Sequence, residues 1–181
     1  MQTKTLLCCR ADLLAIIFLC STLLFSSCSN KTPKSGNVML KDGLICAIHS
    51  GEPFTGKVHD VINAQVLEYD VVKGIKDGDF NVFSENGKPV INGRIKNNKN
   101  EGLWQYYYPD GQLESLGYFK NDISSDKWVW YYPDGKLKAT GYYSNGKKNG
   151  KWTAYDEYGN VTSETVYRNN VKIAGMDETL S

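Results

Sequence analysis

Residues 101–124 read EGLWQYYYPDGQLESLGYFKNDIS, and residues 125–148 read SDKWVWYYPDGKLKATGYYSNGKK. Laid one over the other, they coincide at Trp104 and Trp128, through Tyr107-Tyr108-Pro109-Asp110-Gly111 and Tyr131-Tyr132-Pro133-Asp134-Gly135, and again at Gly117 and Gly141. The same phase runs outward in both directions. Phe80 and Trp152 extend the first column at a spacing of 24, and Gly87 and Gly159 extend the column of Gly111 and Gly135. Phe83, Tyr107, Tyr131 and Tyr155 make a further column, as do Asn97, Asn121, Asn145 and Asn169. A fixed period with several columns in phase marks a stack of identical supersecondary units.

Each unit has the chemistry of a β-hairpin. Trp104 to Tyr108 is aromatic and strand-favouring, Pro109-Asp110-Gly111 is a turn, and Gln112 to Phe119 is a second strand. Pro presets φ at the first corner, Asp bonds the backbone ahead, and Gly takes the positive φ of a three-residue hairpin with a bulge. Lys120-Asn121-Asp122 and Ser144-Asn145-Gly146 supply the return turns. Gly93, Gly117 and Gly141 fall mid-strand, where a bare backbone is weak, so a neighbouring aromatic ring is expected to lie across each. Thr165 takes that place in the last unit, as a cap would. Because one hairpin is only marginally stable, each must lean on the next. The predicted fold is all-β: an elongated, single-layer antiparallel sheet of tandem hairpin repeats, preceded by a signal peptide and a short tether.

Regular units occupy 77–100, 101–124, 125–148 and 149–172, and a degenerate unit about 53–76 turns near Asn63-Ala64. With a further strand at Leu44 to Ile48 and a turn at Gly51-Glu52-Pro53, the array is expected over 38–172. Residues 28–37 are polar with Pro and Gly and read as a tether, and 173–181 as a C-terminal tail. Residues 1–27 read as an export signal: Leu13 to Leu24 is an apolar run behind Lys4 and Arg10, too short for a spanning helix, which needs about 20 apolar residues.

The run ends in Leu24-Phe25-Ser26-Ser27-Cys28, which resembles the lipobox of bacterial lipoproteins, with Phe25 where that family most often has Leu. The resemblance implies cleavage before Cys28, a lipid on its thiol, and a bacterial cell envelope location, inner or outer membrane undecided. An uncleaved anchor or an ordinary signal peptide cut near the same serines are the alternatives. The repeats resemble the bacterial variant of the MORN repeat family, through Pro53-Phe54-Thr55-Gly56-Lys57-Val58, Gly102-Leu103-Trp104-Gln105-Tyr106-Tyr107 with Asp110-Gly111-Gln112-Leu113, and Gly150-Lys151-Trp152 with Gly159. Asp126 departs from it, standing where the other units have Gly. That resemblance implies stacked hairpins and attachment or scaffolding instead of catalysis; proteins of this variant are often labelled YwqK-type antitoxins.

The residue inventory points the same way. Removing Lys4, Arg10 and Asp12 with the signal takes the formal charge from +1 to zero, and no basic stretch stands out, which disfavours nucleic acid as a partner. Only Cys46 remains after the signal cysteines and Cys28, so an intramolecular disulfide framework is excluded. The spacing of Cys46, His49, His59 and Asp60 fits no compact zinc pattern, and no nucleophile elbow is present. No metal, cofactor or catalytic residue is therefore assigned, although carboxylates alone can cleave glycosides.

The structural columns are Phe80, Trp104, Trp128 and Trp152 with Gly87, Gly111, Gly135 and Gly159. Columns that change between units have no common stacking duty: Val82, Tyr106, Trp130 and Ala154 form one, and Ser84, Tyr108, Tyr132 and Asp156 another. Tyr106, Tyr108, Trp130 and Tyr132 are thus the expected partner-binding cluster, on one side of the central hairpins, with packing into the core as the alternative. An unidentified protein partner is the leading expectation, as an immunity or scaffold protein, and a surface adhesin or glycan-binding lipoprotein is the second.

Overall fold

The computed structural model describes residues 37–177; the expected signal peptide, Cys28 and most of the tether lie outside the described residues. Strands β1 (Val38–Lys41) and β2 (Leu44–Ala47) form a separate hairpin, closed by Asp42 and Gly43 at positive φ. The remaining strands make one antiparallel sheet in which, with one exception, each pairs with its sequence neighbours. They are β3 (Gly56–Ile62), β4 (Gln65–Val72), β5 (Ile75–Ser84), β6 (Pro89–Lys96), β7 (Lys99–Tyr107) and β8 (Leu113–Lys120). Then follow β9 (Ile123–Tyr131), β10 (Leu137–Ser144), β11 (Lys147–Lys148), β12 (Gly150–Tyr155), β13 (Val161–Arg168) and β14 (Val171–Asp177). The exception is that β11 and β12 both pair with β10 and not with each other. β3 and β14 are the two edges, so the sheet is open. The expected all-β repeat of hairpins is what is observed, and the last strand continues past residue 172 into the stretch expected as tail, pairing Thr165 with Gly175.

Two turn types alternate along the array. Between units the chain reverses through two residues, both at positive φ: Asn97-Asn98, Asn121-Asp122, Asn145-Gly146 and Asn169-Asn170. This is the primed turn whose twist matches the flanking strands, and Asn, Asp and Gly tolerate it. The second residue of each also ties one turn to the preceding one. The N–H groups of Asn98, Asp122, Gly146 and Asn170 donate to the carbonyls of Lys76, Asn100, Ser124 and Lys148 at 2.9–3.0 Å. In return, the side-chain oxygens of Asn98, Asp122 and Asn170 accept the N–H of Lys76, Asn100 and Lys148 at 2.7–2.8 Å. Within a unit the reversal is the expected bulged turn: Gly111 N–H donates to the Tyr108 carbonyl at 2.8 Å, Gly111 has φ of 93°, and the register slips between Tyr106 and Tyr107.

A second irregularity was not visible in the sequence. Opposite the mid-strand glycines the first strand of each unit carries a wide bulge, so that residues 102–104 face Gly93 and 126–128 face Gly117. The bulge sits at Gly102, Asp126 and Gly150, and in the first regular unit at Gly78, where Asp70 and not a glycine lies opposite; all four are at positive φ. In the last unit it breaks one strand into β11 and β12. The bulge re-aims the tryptophan that follows it. Trp104 lies over Gly93, Trp128 over Gly117 and Trp152 over Gly141, so closely that a Cβ at any of these glycines would fall within the ring system. The expected covering of the bare backbone is therefore present, supplied by the next unit.

The core is one face of the sheet. Rings follow one another across it from Tyr69 through Phe80, Trp104, Phe119, Trp128, Tyr143 and Trp152 to Tyr167, with centroids 5.1–6.4 Å apart. The pairs from Trp104 onward along this path are edge-to-face, the arrangement that the ring quadrupole favours. Phe80, Trp104, Trp128 and Phe119 are buried, while Trp152, in the last unit, is half-buried.

Candidate interaction surface

Successive side chains in a strand alternate faces, so Trp104 and Tyr106 share one, as do Trp128 and Trp130. The four rings expected as a partner-binding cluster accordingly lie on the core face. Tyr106 is 5% exposed and stacks on Trp128 at 6.4 Å. Trp130 is half-buried between Trp128 at 5.9 Å and Trp152 at 5.5 Å. Ser115, in register with both Tyr106 and Trp130, is buried between them.

Tyr108 and Tyr132 are also half-buried, and they share a duty that the column comparison missed. The Tyr108 hydroxyl donates to the Tyr131 carbonyl, and that of Tyr132 to the Tyr155 carbonyl, each at 2.7 Å. Each hydroxyl thus latches one unit to the next. The last unit has Asp156 at this place, and its carboxylate accepts the N–H groups of Tyr158 and Asn160 in its own turn. Burial is the main cause that raises the Tyr108 pKa, with the nearby Glu114 carboxyl adding to it. Burial likewise raises the Glu114 pKa, partly offset by Lys138.

The opposite, outer face carries the exposed rings. Tyr118 and Tyr142 are 42% and 47% exposed, and Leu103, in register with Tyr118, is 39% exposed. Lys127 pairs with Tyr142 in the next hairpin. Tyr118 and Tyr142 follow Gly117 and Gly141 directly, in a column with Arg94 and Val166. The parity of that column relative to the tryptophans was the signal that could have found them.

The sparse metal-ligand chemistry is dispersed. Cys46 is buried and free in β2, and His59 Nδ1 lies 3.1 Å from Glu68 Oε1 across β3 and β4. Asp60 is buried on the core face, where its Oδ2 accepts the Tyr69 hydroxyl at 3.1 Å. Burial, more than the neighbouring Asp60 carboxyl, pushes the Tyr69 pKa up. Among the described residues no three His, Cys, Asp or Glu side chains gather in a group that could hold a metal.

Residues 100–121 and 127–147 match the family described as MORN repeat variant, so the match falls on the two hairpins β7–β8 and β9–β10 that carry Trp104 and Trp128. The hairpins on either side repeat their geometry through β5–β6 and β12–β13. None of the curated proteins compared with the chain matches it.

Proposed function

We propose that the chain is a non-enzymatic bacterial lipoprotein, held in the cell envelope by a lipid on Cys28, whose repeat array binds a partner protein through its outer face. The observation that carries the binding site is the row Leu103, Tyr118 and Tyr142. These large apolar side chains are exposed in the central hairpins, and stacking does not require them, since the same columns hold Asp79 or Arg94 in the preceding unit. Exposed tyrosines grouped with an aliphatic neighbour are the usual anchors of protein interfaces. The neutral mature chain suits a protein partner better than a polyanion. Immunity against a toxin delivered to the envelope and scaffolding of an envelope assembly both fit this reading. Both use recognition without chemistry, in keeping with the MORN-variant repeats.

Two measurements test it. Cys28→Ser should abolish labelling by a radioactive or alkyne-tagged fatty acid; undiminished labelling removes the anchor. Tyr118→Ala with Tyr142→Ala should leave the strand spectrum and unfolding midpoint unchanged while weakening capture of the envelope partner by at least about 2 kcal/mol, the scale of hot-spot truncation. If that pair binds normally and Trp130→Ala does not, the partner sits on the core face instead.

A further inference from the structure

We propose that a shallow depression on the outer face, between β5, β6 and β7, is a saccharide-binding site. It has a volume of about 350 Å³, at the small end of the ~300–1,000 Å³ of ligand pockets and sized for one or two sugar rings. Asn81, Asn92 and Gln105 stand in register across it, Asn81 opposite Asn92 and Asn92 opposite Gln105. Asp79 faces Arg94 on the next row, Leu103 closes one side, and the main chain of Gly93 and Gly102 completes the lining.

The repeat itself shows that these residues are not there for the fold. At the place of Asn81 and Gln105 the later units have Val129 and Thr153, and at the place of Asn92 they have Leu116, Thr140 and Glu164. Leu103, Lys127 and Lys151 follow Asp79, while Tyr118, Tyr142 and Val166 follow Arg94. The same backbone is thus built with aliphatic and threonine side chains one hairpin further on. Three adjacent carboxamides, a carboxylate and a guanidinium are a local departure from what stacking needs.

Their hydrogen-bonding capacity is largely open. Each carboxamide offers two N–H donors and an acceptor oxygen, and the one side-chain bond among the three is from Asn92 Nδ2 to the Tyr107 hydroxyl at 3.1 Å. Asp79 and Arg94 take part in none of the ion pairs among the described residues. A ligand suited to this surface must alternate donors and acceptors every few ångströms and carry no strong charge, because a carboxylate beside a guanidinium repels neither sign and selects neither. Vicinal hydroxyls on a sugar ring meet that description, and Leu103 offers apolar surface to its C–H face. A peptide would gain most by extending a sheet edge, whereas β5, β6 and β7 are interior strands with both neighbours paired. The site is independent of the protein-binding reading, although Leu103 borders both.

The test uses the full chain in detergent on a printed array of mono- to trisaccharides that includes hexoses, N-acetylhexosamines and uronic acids, with the best binder then titrated free in solution. Asn81→Val, Gln105→Val and Asn92→Leu install residues that a later unit already holds at those places, so each should keep the strand spectrum and midpoint. Each should weaken sugar binding at least tenfold, while Val129→Gln leaves it unchanged. Titration of wild-type protein should also shift the side-chain amide resonances of Asn81, Asn92 and Gln105, a readout that needs no variant. The proposal is overturned if the array retains no protein, if those resonances stay fixed during titration, or if folded variants bind as wild type. Retention of an extended-peptide pool that the same variants abolish overturns the saccharide class.

Discussion

Gly117→Ala is the sharpest perturbation of the stacking device. Gly117 is buried in β8 directly beneath the Trp128 ring, and an added Cβ would occupy the space of that indole. The ring has nowhere to retreat: Phe119 at 5.3 Å, Tyr143 and Trp130 at 5.9 Å and Tyr106 at 6.4 Å hold it on several sides. If the core strains to admit the methyl group the cost is about 1–3 kcal/mol. If the ring is expelled, the loss approaches the ~3–5 kcal/mol of truncating a buried aromatic. Alanine returns about 0.4–1 kcal/mol by stiffening the unfolded chain. A Cβ inside the indole is too close for small strain to absorb, so the second case applies. The net expectation is a loss of about 2–4.6 kcal/mol, measured by guanidinium unfolding followed by both strand circular dichroism and tryptophan fluorescence, because repeat arrays need not unfold in one step. In a Trp128→Phe background, the added methyl should cost less than half as much, since a phenyl ring already fills this column at Phe80. A Gly117→Ala protein within about 0.5 kcal/mol of wild type would refute the idea that the glycine exists to receive the ring.

Asp126 holds φ of 56° at the bulge where the other units have Gly, and the buried Trp128 Nε1 beside it lacks a hydrogen-bond partner, whereas Trp104 Nε1 donates to the Arg94 carbonyl and Trp152 Nε1 to that of Tyr142. Asp126→Gly should raise stability by up to about 1 kcal/mol and slow exchange of the Trp128 indole proton; a less stable variant contradicts the reading of that bulge. Tyr108→Phe and Tyr132→Phe each delete a 2.7 Å bond between units and should cost about 0.5–1.5 kcal/mol apiece in chemical unfolding; no loss in either means the latch is idle. Burial raises the Glu114 pKa above its ordinary 4.5, so the folded state holds that proton more tightly than the unfolded chain. Its contribution is fully present below 4.5 and fades as pH rises through the raised folded value. Glu114→Gln should flatten that decline in a pH series of unfolding midpoints, and an unchanged slope argues against it.

The period, the turns and the ring-over-glycine contact were legible because each rests on local chemistry repeated in phase. Asn97-Asn98 and Pro109-Asp110-Gly111 carry their turn geometry in their own residues. The bulge did not announce itself, because Gly102 and Gly150 read as ordinary punctuation until the register shows residues 102–104 facing Gly93 alone. The site assignment turned on which face a column takes. Variation between units does not by itself mean freedom from stacking: Tyr106 varies and is buried, since a large ring on the core face can be replaced by Val82 or Ala154 when neighbouring rings differ. Tyr108 and Tyr132 have a duty of their own, since each hydroxyl bonds a carbonyl of the following unit, whereas Ser84 and Asp156 in the outer units bond within their own turns.

That distinction separates the two faces physically. On the core face a substitution is felt by the next unit, because rings touch at 5.1–6.4 Å along the whole path and each tryptophan rests on the preceding unit's glycine. A change at Gly117 therefore has to be matched at Trp128, which couples positions and keeps the glycine and tryptophan columns nearly uniform. On the outer face Asp79, Leu103, Lys127 and Lys151 succeed one another in one column, as do Arg94, Tyr118, Tyr142 and Val166. Only cross-strand neighbours there need to be compatible, at roughly 0.2–1 kcal/mol per pair, well below the cost of disturbing a buried ring. Recognition can consequently differ from hairpin to hairpin without altering the sheet. This freedom explains how a polar depression at β5–β7 and an aromatic row at β7–β10 lie side by side on one backbone, and why binding specificity should follow the outer-face columns and not the tryptophans that define the repeat.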